Sequence, residues 1–96
     1  MIIVFSDEAD ADLLHILTYL ADKNRAAATA LANLFNTRIE NLARFPIMGR
    51  DRSVFAQDLR SIVVESYVVF YRVEVERAWI VRVLDGRRDI EAEFKN

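Results

Sequence analysis

Residues 67–89, YVVFYRVEVERAWIVRVLDGRRD, constrain this chain more than any other stretch. Tyr67 to Val73 and Ala78 to Leu84 are almost all β-branched or aromatic, the side chains that pack well on a pleated surface. They read as the two strands of a hairpin with an arginine-rich exit. The bend falls near Glu74 to Arg77 and lacks the Asn-Gly or Gly-X pair of the tightest turns. Centred between Val75 and Glu76, it sets Tyr71 opposite Ile80, Arg72 opposite Trp79, Phe70 opposite Val81 and Val69 opposite Arg82. Both faces of such a hairpin are largely apolar. A small domain covers one face with its own helices, so the other is expected to stay open for a partner.

The remaining elements follow from capping and periodicity. Ile2 to Phe5 is a short apolar run that reads as a strand. Ser6 is a helix N-cap, with Asp7 and Glu8 in the first turn where carboxylates suit the helix dipole. Ala9, Leu13, Ile16, Leu17 and Leu20 recur at helical spacing, leaving Asp10, Asp12, His15 and Asp22 mostly off the stripe. After a turn at Asp22-Lys23, Asn24 caps a second helix whose stripe is Leu31, Leu34, Phe35, Ile39 and Leu42. Phe45-Pro46 stops it, because proline disfavours helical geometry in the residue before it. Residues 46–57 read as irregular, Leu59 to Val64 as a strand, and Asp85 to Asp89 as a turn before a short tail through Phe94. The expected fold is α+β in the order β-α-α-β-β-β. An N-terminal strand and an antiparallel two-helix hairpin pack with one face of a small, mainly antiparallel twisted sheet. Residues 1–96 read as one domain.

Several chemistries are excluded by what the chain lacks. It has no cysteine, so disulfides, thiolate nucleophiles and thiolate metal sites are out. A single histidine, His15, builds no metal cluster, and no cofactor is expected. No apolar run approaches the ~20 residues of a membrane span, and the acidic start lacks a basic secretion leader. The expectation is a soluble cytoplasmic protein. Charge is unevenly placed: residues 1–22 carry five acids and no base, while the rest carries 13 bases against 10 acids, hence +3. Eleven of the bases are arginine, whose fixed fork suits carboxylate or phosphate. With a net charge of −2, the chain is not built to live on nucleic-acid backbone, and no direct sequence-specific nucleic-acid binding is expected.

The element order, Pro-x-x-Gly-Arg at Pro46 to Arg50, Leu-Arg-Ser at Leu59 to Ser61, the YVVFYRV strand and the RVLDGRRD close together resemble ParE-type toxins of the RelE/ParE superfamily. The likeness covers essentially the whole chain. It implies the toxin half of a bacterial toxin–antitoxin pair, neutralised by a ParD-like ribbon-helix-helix antitoxin. The RelE branch of that superfamily cleaves messenger RNA in the ribosome. Its members set two lysines where this chain has Ala56 and Asp58, and an arginine where it has Val68. They keep an arginine at Arg88, which is present, and a tyrosine where this chain has Phe94. With one group of five retained, the resemblance favours the ParE branch, which poisons DNA gyrase without chemistry of its own. A divergent ribosome-dependent ribonuclease is the alternative. Asp85 departs from ParE relatives, many of which carry histidine before Gly-Arg-Arg.

The residues expected to contact antitoxin or target are Arg60, Arg72, Trp79, Arg82, Arg87 and Arg88, with no catalytic or metal-binding residue among them. Arg60 and Arg82 have a second reading, as ion pairs with Asp58, Glu65 or Asp85. Arg72 over Trp79 reads equally as a cation–π pair, and Arg87 and Arg88 as partners of Asp89 and Glu91. The resemblance turns Val68, Phe70, Arg72 and Trp79 outward. Strict alternation then sends Arg82 inward beside Ile80 and Leu84, a costly place for an unpaired charge. A bulge near Arg82 would remove the conflict.

Overall fold

The computed structural model describes residues 1–95. Strand β1 (Ile2–Phe5) leads into helices α1 (Asp7–Lys23) and α2 (Arg25–Arg44). Strands β2 (Arg50–Asp51), β3 (Leu59–Val64), β4 (Tyr67–Glu74) and β5 (Arg77–Asp85) follow, and a single helical turn, α3 (Ile90–Glu93), closes the series. The five strands form one sheet in the order β1-β5-β4-β3-β2, antiparallel except where β1 lies parallel to β5. The architecture is the expected α+β arrangement, with two short elements added: β2 lies inside the stretch read as irregular, and α3 inside the tail.

Both long helices begin where their caps predict. The Ser6 side chain accepts the Ala9 N–H, and the Asn24 side chain accepts the Ala27 N–H. There is no separate turn at Asp22-Lys23: α1 runs through Lys23, and Asn24 alone ends one helix and starts the next. Leu31, Phe35, Ile39 and Leu42 are buried against the sheet face formed by Ile62, Val64, Val69, Tyr71, Ile80 and Val83. The α1 stripe is less deeply set. Ala9 is fully buried, while Leu13, Ile16, Leu17 and Leu20 pack on the same core from its margin.

The hairpin follows the expected register from its turn as far as Tyr71 opposite Ile80. There the ladder slips by one residue. Phe70 pairs with Arg82 rather than Val81, and Val69 with Val83 rather than Arg82. Val81 is the extra residue of a β-bulge, and its insertion reverses the alternation of everything after it. Ile80 and Val83 therefore both face the helices, while Leu84 faces the other way with Val68 and Phe70. Arg82 is kept out of the core.

The loop between α2 and β2 is pinned from below. The Tyr71 hydroxyl, on the helix side of the sheet, donates to Pro46 O and accepts the Gly49 N–H, both at 2.9 Å. Burial pushes the phenol above its ordinary pKa, so it stays protonated and can donate. A Cβ on Gly49 would run into that hydroxyl and sit 2.8 Å from Ser61 O, which explains the glycine of the Pro-x-x-Gly step. Gly49→Ala is expected to destabilise the fold by about 1–3 kcal/mol through overpacking. Urea unfolding measures it, and an unchanged midpoint would remove the pinning from the account.

Candidate functional site

The second sheet face, expected to be bare, is roofed by the chain itself. Leu59, Val68, Phe70 and Leu84 are buried there beneath Phe55, Ala56, Ile90 and Phe94. Phe94 meets Phe70 edge-on at 4.9 Å between centroids and stacks with Phe55 at 6.3 Å. Aromatic pairs of this geometry add to the area they bury. Val68 and Phe70 do point away from the helices, but neither is available to a partner. The roof comes from the irregular residues 52–57 and from residues 89–95 around the single turn α3, and the apolar side chains of both carry no periodicity.

The six residues singled out in the sequence fall into two groups. Arg60, Arg72 and Trp79 lie near the turn end of the sheet. Arg72 is exposed and directly opposite half-buried Trp79, as the register requires. The cation–π contacts among the described residues lie elsewhere, Lys23 over Tyr19 and Arg52 over Phe55. Arg60 donates to Gly49 O at 2.9 Å and Ile47 O at 3.4 Å, so its fork holds the preceding loop instead of the anticipated carboxylate.

Arg82, Arg87 and Arg88 gather at the opposite end, roughly 17 Å along β4 by strand rise. Arg82 binds Asp12 with both arms of its fork, Nε to Oδ2 at 2.8 Å and Nη2 to Oδ1 at 2.9 Å, and reaches Glu93 at 3.3 Å. These partners replace the Asp58, Glu65 and Asp85 anticipated for it. The hydrogen bonds it donates to Asp12 hold the guanidinium above its ordinary pKa. Asp12 also accepts the Val83 N–H at 2.9 Å, which ties α1 to the free part of the β5 edge. Arg87, with its side chain 88 % exposed, chelates Asp85 at 2.9 Å and 3.2 Å. Arg88 meets Glu93 at 2.7 Å. Asp89 and Glu91, the partners expected for these two, are not engaged by them.

Between α1 and this arginine cluster lies a cleft of about 400 Å³, lined by Asp12, His15, Ile16, Tyr19, Tyr67, Val83, Asp85, Arg87 and Arg88. It joins the chain's one imidazole, two phenols and the exposed guanidinium of Arg87. Asp12, His15 and Tyr67 escaped the sequence reading as site residues. The signal was present for Asp12, an acid just off the α1 stripe, but its partner lies 70 residues away. No group of His, Asp and Glu among the described residues is arranged to hold a metal ion. Among them, too, no helix is long and apolar enough to cross a membrane.

The sequence of residues 3–90 matches the model of a family described as the ParE toxin of type II toxin–antitoxin system, parDE. Toxin ParE3 of Caulobacter vibrioides is 37 % identical over 67 residues, which span 70 % of this chain and 67 % of that protein. A solved chain of a chromosomal ParDE toxin–antitoxin system from P. aeruginosa superposes with a TM-score of 0.76 at 18 % identity. That superposition covers 88 % of this chain and 95 % of the other and shows a shared fold.

Two measurements test the cluster. The Asp85 carboxyl is lowered to about 2, chiefly by the hydrogen bonds from the Arg87 side chain and backbone. A carboxylate held below its ordinary value favours the folded chain above pH ~4 and loses that effect as pH falls toward 2. Arg87→Gln is expected to move the Asp85 midpoint back toward 3.8 in an NMR titration; a midpoint that stays put would remove Arg87 as the cause. For the half-buried Arg82–Asp12 pair, Asp12→Ala is expected to cost about 2–3 kcal/mol, and Asp12→Leu with Arg82→Met less, because the double change strands no charge. Equal losses in urea unfolding would contradict the pairing.

Proposed function

The chain belongs to the ParE toxin family, and on that footing we propose that it arrests bacterial growth by poisoning DNA gyrase through binding, without chemistry of its own. A cognate ParD-like ribbon-helix-helix antitoxin holds it silent, and both encounters take place in the cytoplasm. The observation that carries the non-catalytic reading is the roof over the second sheet face. Cleaving RNA needs a group to activate the ribose hydroxyl, cations for the crowded phosphate and an acid for the leaving oxygen. At the positions the ribonuclease branch uses, this chain has Ala56, Asp58, Val68 and Phe94, and Val68 and Phe94 belong to one apolar cluster with Phe70. The fifth position, Arg88, is neutralised by Glu93. The apolar cluster offers no group to activate a hydroxyl or protonate a leaving oxygen, and the exposed Asp58 repels a phosphate.

Recognition is assigned to the rim of the sheet. Arg72 beside Trp79 presents its guanidinium to solvent, and the exposed Arg87 and Arg88 at the cleft would meet a partner's carboxylates by exchanging their intrachain partners Asp85 and Glu93. Arg60 and Arg82 spend their forks internally and act by positioning the α2–β2 loop and α1. Expressed without an antitoxin, the chain is expected to stop growth with an SOS-like block, and the purified protein to inhibit gyrase supercoiling while leaving messenger RNA intact. Intact gyrase activity with cut messenger RNA would replace this reading with the ribonuclease. Reversing the charge at Arg72, Arg87 or Arg88 is expected to weaken antitoxin binding about tenfold each in a titration at low salt; unaltered affinity for all three would move the interface elsewhere.

A further inference from the structure

The two halves of the roof over the second sheet face are fastened differently. Residues 52–57 are tied to β3. The Arg52 N–H donates to Leu59 O at 2.7 Å, the Leu59 N–H to Ala56 O at 3.2 Å, and Arg52 Nε to Ser61 Oγ at 2.9 Å. The other half leaves the sheet at Gly86, whose N–H is fixed to Ser66 O at 2.8 Å. Beyond it, among the described residues, every backbone hydrogen bond of residues 88–95 is local: Arg88 to Asp85, Glu93 to Asp89, Phe94 to Glu91 and Lys95 to Ala92. A single turn such as α3 is too short to hold itself. Its bonds are long, 3.4 Å from the Glu93 N–H to Asp89 O and 3.2 Å from the Phe94 N–H to Glu91 O. Side chains attach this half to the body, Ile90 and Phe94 through the apolar cluster and Glu93 through its ion pair with Arg82 at 3.3 Å.

We propose that residues 88–95 are a latched strap, which swings off the sheet about the Gly86-Arg87 step while the rest of the fold stays closed, with Glu93 as the latch. The occupant of the second face is then a segment of this chain, and the face is bared only when that segment lets go. Local opening draws on the parts of a fold with few buried contacts and no ladder to break. The strap meets both conditions, and residues 52–57 do not. The Glu93 carboxylate serves two guanidinium groups, Arg82 on the body and Arg88 at the base of the strap at 2.7 Å. Arg82 keeps both bonds to Asp12 when the strap leaves, so opening strands no cation in the body. Opening uncovers Val68, Phe70 and Leu84, which supply no acid, base or nucleophile. The strap therefore controls apolar area and adds no chemistry. A carboxylate that captured Arg88 would leave the latch with Arg82 alone. That consequence rests on the recognition proposed at the cleft, whereas the strap itself rests on contacts within the chain.

Because the chain contains no cysteine, single engineered thiols report the opening. Val83 and Leu84 are neighbours on β5, each 1 % exposed, one packed under the helices and the other under the roof. In native buffer, Leu84→Cys is expected to react with a soluble aromatic disulfide reagent at least about tenfold faster than Val83→Cys. Adding Glu93→Gln is expected to speed the Leu84→Cys reaction several-fold and to leave Val83→Cys unmoved. Phe94→Ala, which removes the ring closing on Phe70, should speed it further. Val68→Cys against Val69→Cys repeats the comparison with one type of substitution, should the cavity at Leu84→Cys disturb the fold, and circular dichroism confirms that each variant is folded. A common rate for the thiols of the two faces would overturn the proposal, since the second face would then open only with the whole chain. So would a Glu93→Gln change that leaves Leu84→Cys at its original rate or accelerates both faces equally, because the carboxylate would then be no latch. Neither gyrase nor an antitoxin enters these measurements, so their failure and that of the gyrase reading are separate.

Discussion

The carboxylate of Asp12 is the point on which the arrangement of this molecule turns. Strand β5 has nine residues and its outer neighbour β1 only four, so the ladder runs out at Ile80. Beyond it, β5 would present a bare edge, with a bulge at its start. The opening turns of α1 take over. The Ser6 hydroxyl donates to Val81 O, the carbonyl of the bulged residue, and Asp12 accepts the Val83 N–H while gripping the Arg82 fork. A helix N-cap and one acid thus do the work of a missing strand. Because buried or half-buried backbone groups left unpaired are costly, this edge needs both. The same grip sets the wall of the cleft that holds His15, Tyr67 and Arg88.

A sheet of this size with apolar residues on both faces has two ways to hide the second one: a partner or its own loops. This chain uses its loops, closing Phe70 under Phe55 and Phe94. For the recognition proposed above, the consequence is a change of place. Guanidinium groups that would have ringed an open platform stand instead around the perimeter, at Arg72 on one end and Arg87 and Arg88 on the other. Short range and strong orientation make such groups selective for carboxylates, but they supply less apolar area than a face would.

How much of this was legible in the sequence depended on range. Ser6 and Asn24 announced their helices because a cap acts within three residues. The hairpin register was readable near the turn, where Tyr71, Arg72 and Val73 follow simple alternation. Nothing about Val81 itself marks it as the inserted residue; the hint was the charge on Arg82, which alternation would have buried. The roof was invisible for a different reason. Phe55, Ile90 and Phe94 stand singly in segments without period, and only the folded chain brings them over Val68 and Leu84. Asp12 looked like a solvated acid, since a partner across the whole sequence leaves no local trace. The two-residue strand β2 is too short for any pattern.

The parallel pairing of β1 with β5 also has a bearing on when the molecule comes into being. Ile2 waits for Arg77, and Ser6 for Ile80 and Val81, so β1 has no strand to pair with until β5 has been translated, some 75 residues later. Contacts of such wide sequence separation are slow to close. The sheet of a nascent chain therefore stays open along β5 until both partners of this pairing have left the ribosome.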